Sequence, residues 1–323
     1  MRVTPEKLIE LAREEAEQRG QSEDVVSGYL IGSLASGDPI IADTADIDLV
    51  LIHKHQPQRR CEFIPLSENI HLDITHHPIE LYSSPPELRV HPWLGPSMCE
   101  PIFLYDPDHF FERAQAGVRG QFYQLDYIHQ RAAAFLSRAR MCKSNLHSDR
   151  AWIRNYANCL LEASNALATL GGFPVAGRRF TLLLKSRLIE LGFEDQFIEF
   201  QRLLGADLLN QDSISHWIPA WEAAINAVAY LDPGFNLARK NYFLQGFLNL
   251  IESENSEANL WNLLTTWNLA IDSLERSGEY PQHTSFWEEV LTQLKLSSQF
   301  RDWREMELEH YLDGIDEIIE KWV

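Results

Sequence analysis

Residues 45–53, ADIDLVLIH, place two carboxylates two positions apart inside an otherwise apolar run. The run is rich in β-branched and aliphatic residues and predicts a strand. Successive strand side chains alternate faces, so Asp46 and Asp48 share one face while Ile47 and Leu49 share the other, which must be core. Two carboxylates held side by side repel, and the ionised pair is destabilised unless a counter-charge lies between them. A hard cation such as Mg²⁺ supplies that charge, typically taking one or two carboxylates together with phosphate oxygens of a substrate. The pair therefore predicts a metal and a phosphate.

Two neighbouring segments extend the pattern. In NIHLDITHH (69–77), Ile70, Leu72 and Ile74 fall on one face and His71, Asp73 and Thr75 on the other. If this strand lies beside the first, three carboxylates converge, enough to hold two metal ions for an in-line phosphoryl transfer. Upstream, the apolar run VVSGYLIG (25–32) closes on Gly32-Ser33 and opens SLASGD. Glycine lets a phosphate approach the backbone, and a helix beginning there turns free amides toward an anion.

Together these residues, IGS followed after twelve positions by DIDL and later by LDI, resemble the nucleotidyltransferase signature of the DNA polymerase β superfamily. By that resemblance Gly32 and Ser33 hold the triphosphate tail, Asp46 and Asp48 coordinate the nucleotide-bound Mg²⁺, and Asp73 completes a second metal site beside the acceptor hydroxyl. The chain departs from many members in carrying Ala45 where they have serine before the first aspartate, a change next to the ligands and not in them.

Around the signature the chain changes character near residue 105. Ahead of it, Thr4-Pro5 starts and Gly20 ends an amphipathic helix, three β-rich runs follow, and CEFIPL (61–66) offers a fourth short strand. The proline-rich stretch 83–101 reads as an active-site loop or a crossing between domains, because each proline removes a backbone donor. Beyond it the 3.6-residue period dominates, with helices expected over 107–147, 150–170, 178–191, 194–204, 214–231, 237–252, 257–276, 284–297 and 301–321. Eight of the nine tryptophans lie at or beyond Trp152, at helical spacing that marks core anchors. The expected fold class is α+β: a small mixed-sheet domain over 1–105, of nucleotidyltransferase type by the resemblance, followed by an all-helical domain over 106–323 in one or two parts. That order is similar to the aminoglycoside and lincosamide nucleotidyltransferases.

In the helical half, Arg178 and Lys185 are seven residues apart on one helix face; superfamily members often touch the triphosphate with such a cation, which nominates Lys185. Asn155, Asn158, Glu162 and Asn165 form a polar stripe at steps of three, four and three, the pattern of a cleft or of a hydrogen-bond network between helices. By resemblance to drug-modifying relatives, Glu162 is nominated as the base that takes the acceptor's proton. His71, His76 and His77 lack zinc-ligand spacing and read as structural.

The resemblance thus implies an enzyme moving a nucleoside monophosphate, AMP first, from ATP or another NTP to a hydroxyl of a small-molecule acceptor such as an aminoglycoside, with two Mg²⁺ ions and release of pyrophosphate. Two alternatives stand beside it: a protein adenylyltransferase of regulatory or toxin-antitoxin type, and a nucleotide-binding module without turnover. The 28 basic against 47 acidic residues give a formal charge of -19, which disfavours a nucleic-acid partner and suits a cationic acceptor. Four scattered cysteines without a Cys-x-x-Cys pair, no leader and no apolar run near the roughly 20 residues of a membrane span point to the cytoplasm.

Overall fold

The computed structural model describes residues 4–37, 43–146, 151–210, 212–232, 235–252, 256–278 and 281–322. In chain order they form α1 (Pro5–Arg19), β1 (Val25–Ile31), α2 (Gly32–Ala35), β2 (Ala45–His53), β3 (Cys61–Pro65), β4 (Ile70–Pro78), α3 (Pro85–Val90), α4 (Leu94–Ser97), β5 (Ile102–Tyr105), α5 (Phe110–Arg119) and α6 (Leu125–Ser144). There follow α7 (Trp152–Ala168), α8 (Phe180–Glu190), α9 (Glu194–Leu204), α10 (Ser213–Leu231), α11 (Leu237–Glu252), α12 (Ser256–Ser277), α13 (Pro281–Gln293) and α14 (Arg301–Lys321). The fold is α+β, a five-stranded mixed sheet with helices followed by a mostly helical region. No helix among the described residues is long and apolar enough to cross a membrane.

The sheet order is β3-β4-β2-β1-β5, with β2 and β4 parallel and the other pairs antiparallel. One face is covered by α1, whose Leu8, Ala12 and Ala16 follow one another at four-residue steps and join Leu30, Ile47, Leu49, Leu51, Leu72 and Ile74 in one core. Ile47, Leu49, Leu51 and Ile74 are all at 0% exposure, and burying each such side chain is worth about 1.5–3 kcal/mol. A slip of one residue in β2 would put Asp46 and Asp48 into this core and lift the aliphatic side chains out, so the register is strongly specified.

The other face is divided along its length. At the β1 side Tyr29 stacks on Phe111 of α5 with ring centroids 4.2 Å apart, and its hydroxyl lies 2.7 Å from that of Tyr82. The carboxylates occupy the same face farther along β2 and β4, as the registers below show.

Packing divides the chain into two compact units, residues 1–128 with 236–249, and residues 129–235 with 250–323. This is not the division that composition suggests at residue 105: α5 packs on β1, and most of α11, although far along the chain, belongs with the sheet. In the second unit α7 packs against α8, α12 and α14. Trp221 of α10 donates to Thr266 of α12 at 3.0 Å, and the fully buried Arg304 of α14 closes the carbonyls of Arg202, Leu294 and Lys295 at 2.7–3.0 Å.

Four local expectations are corrected. The helix expected over 107–147 is two helices, broken at Gly120. Ile102–Tyr105, the end of the expected mixed-sheet domain and assigned no strand there, is edge strand β5; it is short and flanked by Pro101 and Asp106, which hid it. The proline-rich stretch is not a bare loop or crossing: Pro85 and Pro86 occupy the first turn of α3, where a missing N–H is harmless, and Leu88, Leu94, Pro96 and Met98 are buried. The helix expected to run to 297 ends at Gln293, ahead of Lys295 with φ of 54°.

Candidate active site

Strand pairing brings the carboxylates together. In the parallel β2–β4 register Asp48 is opposite Asp73 and Asp46 is opposite His71, so the four side chains form two ranks on one face of the sheet. On the other side of β2, Asp48 pairs with Ile31, the last residue of β1. The next residue, Gly32, turns the chain with φ of 75°, and a Cβ there would collide with Oδ2 of Asp48. Only glycine allows that turn and that approach at once. The four-residue helix α2 follows, closed by Ser36, whose N–H and hydroxyl both donate to the Gly32 carbonyl at 3.1 and 3.2 Å. Ser33 lies in this turn, partly exposed.

The electrostatics are those of crowded anions. The Asp48 carboxyl is raised well above the ordinary carboxylate range, first by burial and then by the charges of Asp46 and Asp73. Asp73 is pushed up to about 6, again first by burial, with Arg239 pulling it down and Asp46 pushing it up. Oδ1 of Asp73 is buried and accepts no hydrogen bond, although Nε2 of His71 stands 3.4 Å from it. An unsatisfied buried carboxylate oxygen is unfavourable.

Helix α11 completes the site. The Tyr242 hydroxyl donates to Oδ2 of Asp46 at 2.7 Å, and its ring meets the His71 ring edge-on with centroids 5.2 Å apart. Arg239, one turn earlier, lays its guanidinium 3.9 Å over the Phe63 ring of β3. Asn241 donates to the Glu68 carbonyl at 2.8 Å and to Oδ1 of Asn69 at 3.1 Å, tying the helix to the turn before β4.

As placed, no three His, Cys, Asp or Glu side chains among the described residues form a ready-made metal-binding group. The donors nonetheless fit a hard divalent cation in kind: all are carboxylate oxygens, one of them buried without a donor, and the Asp48 and Asp73 carboxyls are raised by burial and by neighbouring carboxylate charge, which a cation would offset. Asp46, Asp48 and Asp73 are the residues that would hold it.

The remaining nominees belong to the second unit. Glu162 is 7% exposed, and both its oxygens are taken by Arg138, from Nε and Nη2 at 2.8 Å each. Lys185 is exposed on α8, its Nζ 5.7 Å from the centroid of the Phe197 ring. The polar stripe divides its work: Asn165 is fully buried and exchanges hydrogen bonds with Val175 at 2.7 and 3.0 Å, and Asn155 donates to the Asn145 carbonyl. Asn158 stands at the wall of a cavity of about 290 Å³ lined also by Tyr156, Trp261 and Leu264.

Sequence reasoning missed Tyr242, Arg239 and the role of His71. His71 carried a signal, since it shares the Asp73 face by strand alternation; Tyr242 and Arg239 carried none, because nothing local in α11 marks a helix returning to the sheet.

No protein-family model and no curated protein matches the chain. Among solved structures it is similar to a nucleotidyltransferase-like protein from Exiguobacterium sibiricum 255-15, at 15% identity, with 84% of this chain and 92% of that chain covered and a TM-score of 0.30. So distant a likeness carries no role for any residue.

Proposed function

We propose that the protein is a Mg²⁺-dependent nucleotidyltransferase that moves a nucleoside monophosphate, AMP first, from its triphosphate to an acceptor hydroxyl and releases pyrophosphate. The observation that carries this reading is the parallel β2–β4 register, which sets Asp48 opposite Asp73 with Asp46 on the same face and Gly32 against Asp48. Three carboxylates in this arrangement are hard to explain as a solvated surface, since Asp48 and Asp73 are held above their ordinary pKa range first by burial and then by neighbouring carboxylates, Asp46 in both cases.

In this reading Asp46, Asp48 and Asp73 hold divalent cations, two by the resemblance, and the turn at Gly32-Ser33 receives the triphosphate tail. The cations would neutralise charge on the reacting phosphate and lower the pKa of the acceptor hydroxyl. The chain's own part is positioning: the glycine turn and the paired strands set phosphate-side and carboxylate-side groups at a fixed separation before the substrate arrives. Glu162 as acceptor base requires that it leave Arg138, and Lys185 remains the nominated triphosphate cation. A small cationic acceptor, of which an aminoglycoside is the type, suits the formal charge of -19, and the free cysteines suit a cytoplasmic setting.

The test is incubation of the full chain with Mg²⁺-ATP and a panel of aminoglycosides, reading pyrophosphate release, with Asp48→Asn as the inactive control. In parallel, labelled ATP is added with a cell lysate. Label on a protein band would move the acceptor to the protein adenylyltransferase alternative, and no release or label in either arm would overturn transfer altogether.

A further inference from the structure

We infer that Tyr242 is a positioning residue for Asp46, so that the carboxylate site is completed by a helix 196 positions further along the chain. The inference rests on the cation-binding reading of Asp46 given above.

The contact is a charge-assisted hydrogen bond, 2.7 Å from hydroxyl to carboxylate, made by a tyrosine only 8% exposed. A carboxylate has two oxygens and about four acceptor directions. One bond to Oδ2 therefore fixes the orientation of Asp46 and leaves acceptor directions for a cation. Hydrogen-bonded groups behind ligands of this kind commonly change metal affinity by about 10–100-fold when removed.

The surroundings hold Tyr242 in place by three separate attachments. His71, 1% exposed and in register with Asp46, meets the tyrosine ring edge-on at 87° and so limits its rotation. Asn241 fastens the same turn of helix to Glu68 and Asn69, and Arg239 fastens it to Phe63 while placing positive charge near Asp73. Residues 239–242 thus bind β3, the β3–β4 turn and the carboxylate face within one helical turn. A helix that served packing alone would be satisfied by its buried Ala238, Leu244 and Phe247; the hydroxyl on Asp46 is additional to that.

The test uses Mn²⁺ as the hard-cation probe, titrated into the full chain without nucleotide and followed by the electron paramagnetic resonance signal of the free ion. Tyr242→Phe keeps the ring and deletes the hydroxyl; Asn241→Ala loosens the helix without touching a carboxylate; Asp46→Asn removes the ligand itself. Wild type should bind, Asp46→Asn should lose binding, Tyr242→Phe should weaken Kd by about 10–100-fold, and Asn241→Ala should weaken it several-fold, all with unchanged circular dichroism. Equal Kd within twofold for wild type and Tyr242→Phe overturns the positioning role and leaves the cation site standing. Tighter binding by Tyr242→Phe also overturns it, because the hydroxyl is then a plug. Absence of binding by wild type defeats the cation reading itself, and the positioning role with it.

Discussion

Oδ2 of Asp48 occupies the space that a side chain on Gly32 would need, so the place of this carboxylate on β2 depends on a residue without a side chain at the turn after β1. A left-handed φ alone costs a non-glycine residue about 1–2 kcal/mol, and the collision must then be relieved by moving Asp48 or opening the β1–β2 pair. Gly32→Ala should melt several degrees below wild type and lose Mn²⁺ binding. A native melting temperature together with native binding would show that Asp48 yields readily to a side chain at residue 32.

The crowded carboxylates make a signed prediction for pH. Asp73 has its folded pKa raised from 3.8 to about 6, and Asp48 is raised in the same direction, first by burial and then by the charges of Asp46 and Asp73. For an acid whose folded pKa is raised, the favourable contribution is complete below the unfolded pKa and is lost as pH climbs through the folded one. For Asp73 that window is roughly pH 4–6, and the loss above it is about 3 kcal/mol. Asp48→Asn and Asp73→Asn should therefore raise the cation-free melting temperature at pH 8 and leave it nearly unchanged at pH 4. Mg²⁺ should stabilise wild type at pH 8 more than either variant. Destabilisation of both variants at pH 8 would contradict the charge argument.

His77 acts in the opposite direction. Burial lowers its pKa from 6.5 to about 4, with His91 and His76 adding to the shift, and its Nδ1 lies 2.7 Å from the Tyr82 hydroxyl. A histidine with a depressed folded pKa favours folding above the unfolded value and loses that contribution as pH falls from about 6.5 to 4. Its ring resonances, followed by nuclear magnetic resonance, should titrate with a midpoint near 4. A midpoint at 6 or above would place the ring in water.

Glu162 and Arg138 offer a test of role by coupling. Their two-pronged pair joins α7 to α6 with Glu162 almost fully buried. Glu162→Gln and Arg138→Gln should each destabilise the protein, and the double variant should be no worse than the harsher single one, with a coupling of about 1–3 kcal/mol in urea melts. If Glu162 is also the acceptor base, Glu162→Gln should abolish turnover while Arg138→Gln preserves it. Equal residual activity in the two variants would assign Glu162 to structure alone.

The aspartates were readable because a strand's period is two: Asp46, Asp48 and Asp73 sit between aliphatic residues whose burial dictates the face the carboxylates take. That β2 and β4 are neighbours was not readable, since a parallel pair is joined by a long connection and its register is settled by packing over the whole sheet. Gly32 was legible as a turn, but its collision with Asp48 follows from the β1–β2 register. β5 escaped because four residues between Pro101 and Asp106 are too few to show an alternation. Tyr242 lay beyond any local pattern, as its helix is amphipathic in the ordinary way and its partner is distant in the chain.

The return of residues 236–249 to the sheet means that the chain passes between its two units three times, at 128, 235 and 249. No single recombination point can then exchange one unit and spare the other: swapping everything after residue 128 for a homologous helical segment would also replace Arg239, Asn241 and Tyr242. Gene fragments ending at residue 128 would encode the carboxylates without the tyrosine hydrogen-bonded to Asp46. Exchanging the helical unit while sparing the neighbourhood of Asp46 therefore takes two further junctions, at 235 and 249.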